Sequence, residues 1–246
     1  MKKIDHILVR VNHLEKAIVD FKNMGFKVYK GSNKKSCHHA MIYFQDDSFL
    51  ELIDSSKFPG IVKILAKSGV MNYMGILFQK FSHYTLSHER FLDYAVFTEN
   101  IETFYKDSKY KKVSRLMNMK RKNHLGAITK WKLFAFKAPD LPFMMSEYDP
   151  FRFPEKNAAT HDNGVLGIQE ITIETPVSTK LYCSYFDAHL GTQSFDNTIK
   201  IGNTNIKIKP SKCYRISSVS LFSNTTEDKT LSGLKTFNIS LVNHSK

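Results

Sequence analysis

The first fifty-four positions carry two hydrophobic periods in succession. Ile4-Asp5-His6-Ile7-Leu8-Val9-Arg10-Val11 is rich in β-branched residues and predicts a strand. Leu14, Ala17, Ile18 and Phe21 follow at the spacing of one helix face, and Gly25 stands where that helix should stop. Phe26 to Tyr29, Ala40 to Gln45 and Ser48 to Asp54 read as three further strands, the last two joined by a tight turn at Asp46-Asp47. The predicted order is β-α-β-β-β.

The opening then returns. Leu92-Asp93-Tyr94-Ala95-Val96-Phe97 lies over Ile4 to Val9, and Ile101, Phe104 and Tyr105 continue as a helix face. Strands are predicted at Val113 to Met117, Ala127 to Phe136 and Phe143 to Tyr148. A third copy begins at Ile168 to Ile173, with a helix from Thr179 to Leu190 that ends at Gly191. Alternating strands follow at 198–203, 206–208, 216–222 and 236–242. The expected architecture is α+β, with consecutive βαβββ modules whose curved mixed sheets enclose a cleft. Its parts are a first module at 1–57, a connecting segment at 58–90 with a short helix from Ile61 to Lys67, a second module at 91–150, and a strand-rich third unit at 165–246.

Composition removes several classes. The chain has 246 residues, is 42% hydrophobic and 13% aromatic, and so has ample material for a packed core. No apolar run suits a signal peptide or a membrane span, so a cytoplasmic protein with no membrane partner is expected. Cys37, Cys183 and Cys213 are widely spaced and odd in number, which suits reduced thiols. The net charge is +13, and residues 106–137 hold eleven Lys or Arg against one acid, Asp107. No nucleic-acid-binding motif accompanies that cluster, so a small-molecule ligand is expected in preference to nucleic acid. A homodimer is compatible with the sequence.

The first module pairs Asp5-His6 on its first strand with Leu50-Glu51-Leu52 on its fourth. In the second, Arg121, Gly126 and Trp131 follow an R-x4-G-x4-W spacing and lead into Leu141-Pro142-Phe143. These features resemble the glyoxalase-like domain family of the vicinal-oxygen-chelate superfamily, over about two thirds of the chain. The resemblance implies paired modules around a cleft, with metal ligands drawn from the first and fourth strands of each. His6 and Glu51 match those positions in the first module, and imidazole with carboxylate suits a divalent Fe, Mn, Ni, Co or Zn ion. In the second module Tyr94 stands where His or Gln is usual, and either Ser146 or Glu147 takes the fourth-strand position.

Each residue also has a plainer account. Strand alternation puts Ile4, His6, Leu8 and Arg10 on one face and Asp5, Ile7 and Val9 on the other. Glu51, between two leucines, is expected to be paired or neutralised and is the leading candidate for catalysis and metal binding; its plainer account is an ion pair with Arg10 or a Lys. His39, which shares a face with Met41 and Tyr43, is the candidate acid or base, ahead of its neighbours Cys37 and His38. Tyr43, Tyr94 and Trp131 are candidate substrate walls, although aromatics at such spacing are commonly core, and Arg121 is a candidate anion clamp. Glu170 aligns with His6 in the third copy. The implied function is a metal-dependent lyase, isomerase or dioxygenase acting on a small oxygenated molecule. The alternative is a metal-free module that sequesters a small ligand.

Overall fold

The computed structural model describes residues 1–32, 34–108, 112–122, 128–137, 140–150, 155–224, 229–230 and 237–243. Strand β1 (Lys2–Arg10) leads into helix α1 (Leu14–Asn23), followed by β2 (Tyr29–Lys30), β3 (His39–Tyr43) and β4 (Phe49–Ile53). Helix α1 buries Leu14, Ala17, Ile18 and Phe21, the face its spacing predicted. Its first turn is capped from outside: the Leu14 amide donates to the Asp54 carboxylate at 3.2 Å, just past β4. Gly25 takes a φ of +86°, where a side chain would also strike the Asn163 amide, so glycine is required there.

The connecting segment folds as α2 (Gly60–Lys67), a short 3-10 turn and α3 (Ile76–Leu86). The sequence predicts only the first of these helices, because polar residues and Gly75 mask the periodicity of α3. The second module is β5 (Arg90–Thr98), α4 (Ile101–Ser108), β6 (Met117–Lys122), β7 (Ile128–Ala135) and β8 (Phe143–Met145). Two predicted strands are shorter or shifted. Val113 makes only an isolated bridge to Phe136, and β8 stops at Met145 because the Ser146 hydroxyl accepts from the Lys132 amide at 2.8 Å. Gly126 and Ala127 lie outside the described residues.

The two modules share one curled sheet of order β2-β3-β4-β1-β5-β8-β7-β6. They join where β1 and β5 run antiparallel, each flanked on its other side by a parallel fourth strand, β4 or β8. A second sheet repeats the plan: β9 (Val165–Thr175), α5 (Thr179–Leu190), β10 (Ser194–Phe195), β11 (Thr198–Ile201) and β12 (Thr204–Pro210) take the order β10-β11-β12-β9. Beyond β9 come β13 (Arg215–Ser223), β15 (Ile239–Asn243) and β14 (Lys229–Thr230). Because β13 is antiparallel to β9 and parallel to β15, these strands stand to β9 as the second module stands to β1. The strand-rich third unit therefore contains the strands of a fourth partial module.

One core joins both sheets: Ile7, Val9 and Phe21 belong to the same apolar cluster as Ile171, Phe186 and Leu221. Asp46, in the β3–β4 turn, ties the sheets by accepting from the Ile168 amide at 3.2 Å. His161 pins the first module from outside, accepting from the Lys27 amide at 3.0 Å and donating to the Tyr43 carbonyl at 2.8 Å. That first bond diverts the predicted strand at 26–29, of which only Tyr29 pairs.

Candidate functional site

The register of β1 against β5 defines the cleft. Ile4 pairs with Val96 and His6 with Ala95, leaving Asp5 as an extra residue on β1; Leu8 pairs with Asp93 and Val9 with Phe91, leaving Leu92 extra on β5. These two bulges are related by the local dyad that relates the modules, so His6 corresponds to Asp93 and Leu8 to Ala95. The fourth strands follow: Glu51 lies beside Leu8 and Phe143 beside Ala95, so Phe143 corresponds to Glu51. The four equivalent positions are His6, Glu51, Asp93 and Phe143. Tyr94 sits opposite Ile7 on the other face, fully buried in the main core, and does not join His6. Ser146 and Glu147 lie past the end of β8 and do not occupy the position equivalent to Glu51.

The bulge also alters β1 itself. Strict alternation would hold Asp5 away from His6 and set Ile4 beside it. Instead Ile4 joins the main core, and the Asp5 carboxylate reaches His6 Nδ1 at 2.6 Å. His6 stacks on Phe49 at 4.7 Å and turns Nε2 toward Glu51 Oε2, 3.7 Å away. On its other side Glu51 Oε1 faces Arg121 Nη1 at 3.5 Å, and the guanidinium lies 5.6 Å over the Trp131 ring. The Tyr148 hydroxyl donates to Asp5 at 3.2 Å. A continuous chain therefore runs from Asp5 through His6 and Glu51 to Arg121, bringing both modules together. Arg10 is not the partner of Glu51; its guanidinium lies 3.9 Å from Asp54.

This surrounding fixes charge states. Burial pushes the Glu51 carboxyl up, but Arg121 first, then His6 and His39, pull it down further, so it lies below the ordinary carboxylate value. Glu51 is an ionised acceptor at neutral pH. Burial lowers His39, with Glu51 opposing and Arg121 adding, which keeps that imidazole neutral. Burial raises the Tyr43 phenol to about 12, and Tyr148 rises well above its usual value through burial and then Asp5. Both phenols stay protonated. His39 shares the cleft face with Glu51, since it pairs with Ile53 while Met41 pairs with Glu51. Its Nε2 packs onto Gly31 without a hydrogen-bond partner among the described residues. Trp131 Nε1 is likewise buried and without a partner among them.

The second half of the cleft is closed by α3. Lys80 Nζ donates to Asp93 Oδ2 at 2.6 Å and to the Leu141 carbonyl at 2.8 Å, and lies 4.9 Å over the Phe143 ring. The Tyr84 hydroxyl also donates to Asp93. The Lys80 and Asp93 side chains are only 4% and 3% exposed. The Leu141-Pro142-Phe143 motif thus receives a lysine from the connecting segment. Sequence reasoning missed Asp93, Lys80 and Tyr84, since the dyad register that brings Asp93 level with His6 depends on a bulge no local pattern announces. Glu170 belongs to the second sheet and adds no donor to His6.

A divalent metal, as the family resemblance implies, meets a divided donor set. His6 Nε2 and Glu51 Oε2 can face one ion, and Asp5 on Nδ1 is the outer partner a ligating histidine commonly has. Catalytic metals usually take three protein donors. Here Phe143 offers none, Lys80 neutralises Asp93, and Arg121 competes for Glu51. Among the described residues no cluster of three or more His, Cys, Asp or Glu is placed to hold a metal. The residues therefore do not fit a fully caged ion.

The Glyoxalase-like domain family model matches residues 4–184. A hypothetical protein from Staphylococcus aureus superposes with a TM-score of 0.76 at 15% identity, over 99% of this chain and 100% of that one. The Mn(II)-bound glyoxalase from Novosphingobium aromaticivorans gives 0.58 at 9% identity, over 99% and 82%. The 2,3-dioxygenase LapB from Pseudomonas sp. KL28 gives 0.51 at 10% identity, over 91% and 75%. At such identities these likenesses speak to the fold alone. No curated protein sequence matches the chain. With the module order, the dyad and the family match over residues 4–184, the chain belongs to the glyoxalase-like domain family.

Proposed function

We propose that this chain binds a small oxygenated molecule bearing an anionic group, in the half of the cleft built around His6 and Glu51, without a metal cage of its own. The observation that carries this reading is the contrast across the dyad: in the Asp5–His6–Glu51–Arg121 chain, Glu51 and Arg121 stand 3.5 Å apart with side chains 18% and 30% exposed, whereas the equivalent Asp93 is held by Lys80 and is 3% exposed. Arg121 supplies a planar donor for a carboxylate or enolate, and ionised Glu51 accepts from a ligand hydroxyl. Phe49 stacks on His6 and Trp131 lies against the Arg121 guanidinium, giving this half of the cleft an apolar lining.

A metal-dependent lyase, isomerase or dioxygenase is the second reading. It is favoured by one contact, the Asp5 carboxylate on His6 Nδ1, which leaves Nε2 toward Glu51.

Elemental analysis of protein purified without chelator separates the two, alongside thermal melting with small keto and hydroxy carboxylates. The expected result is far less than one equivalent of transition metal, with a carboxylate-dependent rise in Tm that Arg121→Ala abolishes. Near-stoichiometric metal that is lost in both His6→Ala and Glu51→Gln would replace the first reading with the second.

A further inference from the structure

The connecting segment has two faces, and only the inner one is used by the cleft. On α3, Lys80 and Tyr84 point inward to Asp93, while Phe78 and Phe81 point outward. On α2, Ala66 is buried and Ile61 and Ile64 are 62% and 63% exposed; between the helices Tyr73 is 93% exposed. Of the sixteen large exposed hydrophobics among the described residues, eight fall within 61–86. Half of these exposed side chains are thus gathered on two short helices and the turn between them, whereas scattered single residues would need no explanation.

We infer that the outer face of α2 and α3 docks onto an anionic lipid surface. Residues 55–88 contain four lysines and no Asp or Glu, within a chain of net charge +13. Lys80 is internal, Lys57 is engaged by Glu15 and Lys63 donates to the Ser56 carbonyl, so Lys63 keeps its charge without a carboxylate partner among the described residues and Lys67 lies beside it on the outer helix, near Ile64. Apolar residues flanked by lysines with no acid among them match the boundary between acyl chains and negative headgroups. The helices have 8 and 11 residues, too short to span, so they would lie in the interface. This differs from the expectation of no membrane partner, which rested on the lack of a spanning run and does not bear on interfacial attachment. A second copy is a poorer occupant: two such faces apposed would set lysines against lysines, with Glu15, already paired to Lys57 and Lys30, as the carboxylate beside them.

The test is co-sedimentation of the full chain with phosphatidylcholine vesicles, with and without phosphatidylglycerol. Binding is expected to the anionic vesicles only, to weaken with salt, and to fall at least about tenfold in an Ile64→Ser/Tyr73→Ser variant. Lys63→Glu/Lys67→Glu should also bind weakly. Val19→Ser, which removes an exposed apolar residue on α1, should bind as wild type, and far-ultraviolet circular dichroism should show all variants folded. Absence of binding to anionic vesicles, or undiminished binding by Ile64→Ser/Tyr73→Ser, would overturn the inference. So would a dimer in analytical ultracentrifugation that the same double variant dissolves, since a second copy would then cover the face.

Discussion

The two halves of the cleft come from dyad-related strands in equivalent register, β1 and β4 against β5 and β8, yet they present opposite chemistry. Around His6, an imidazole, a carboxylate and a guanidinium stand close to one another at 3.7 and 3.5 Å, beyond ordinary hydrogen bonds. Around Asp93, the same kind of position is filled by a 2.6 Å ion pair, a phenol and an aromatic ring. The difference lies in the residues at the equivalent positions, Asp93 for His6 and Phe143 for Glu51, and in Lys80 and Tyr84 supplied by α3 of the connecting segment. The Asp93 position is thus closed by a lysine from the connecting segment, while Glu51 and Arg121 keep part of their exposure.

The largest expected effect comes from breaking the closed half. Lys80→Ala leaves the Asp93 carboxylate buried without its counter-ion, and a loss of about 3–5 kcal/mol is expected in urea unfolding. Replacing both partners, as Lys80→Met with Asp93→Leu, should recover most of that loss, because apolar pairs often match buried ion pairs in stability. A Lys80→Ala cost under about 1 kcal/mol would mean that the pair is not structural.

A smaller effect sharpens the open half. Glu51 is depressed below its ordinary 4.5, so its ionised form contributes stability that is present above pH 4.5 and lost as pH falls through the depressed value. Denaturation of wild type and Glu51→Gln across acid pH should therefore show the wild-type advantage shrinking below pH 4.5 and steady above it. A constant difference across that range would contradict the charge state assigned to Glu51.

Much of the fold was legible because its signal is local and repeated. The strand openings at Ile4, Leu92 and Ile168, the α1 face and the α5 span follow from hydrophobic period and glycine stops. His6 and Glu51 were legible because "DH" and "LEL" sit on adjacent parallel strands, β1 and β4. Asp93 was not. Aligning Tyr94 with His6 is the natural reading of two apolar strings, and only the paired bulges at Asp5 and Leu92 move the equivalence by one residue and so to the opposite face. Lys80 was illegible for another reason: a lysine thirteen residues from its carboxylate partner reads as a surface charge until a helix turns it inward. The fourth partial module was hidden because β13 and β15 are joined through a segment without the opening's apolar pattern.

The most direct test of the divided cleft is to measure Glu51→Gln and Asp93→Asn side by side, recording unfolding free energy and carboxylate-induced change in Tm for each. Asp93→Asn should cost about 3–5 kcal/mol, and where it remains folded should keep the ligand response. Glu51→Gln should cost about 1 kcal/mol or less and lose the ligand response, as expected of a carboxylate kept for binding and not for stability. The reverse pattern, with Glu51→Gln the more destabilising and Asp93→Asn abolishing the ligand response, would contradict the account.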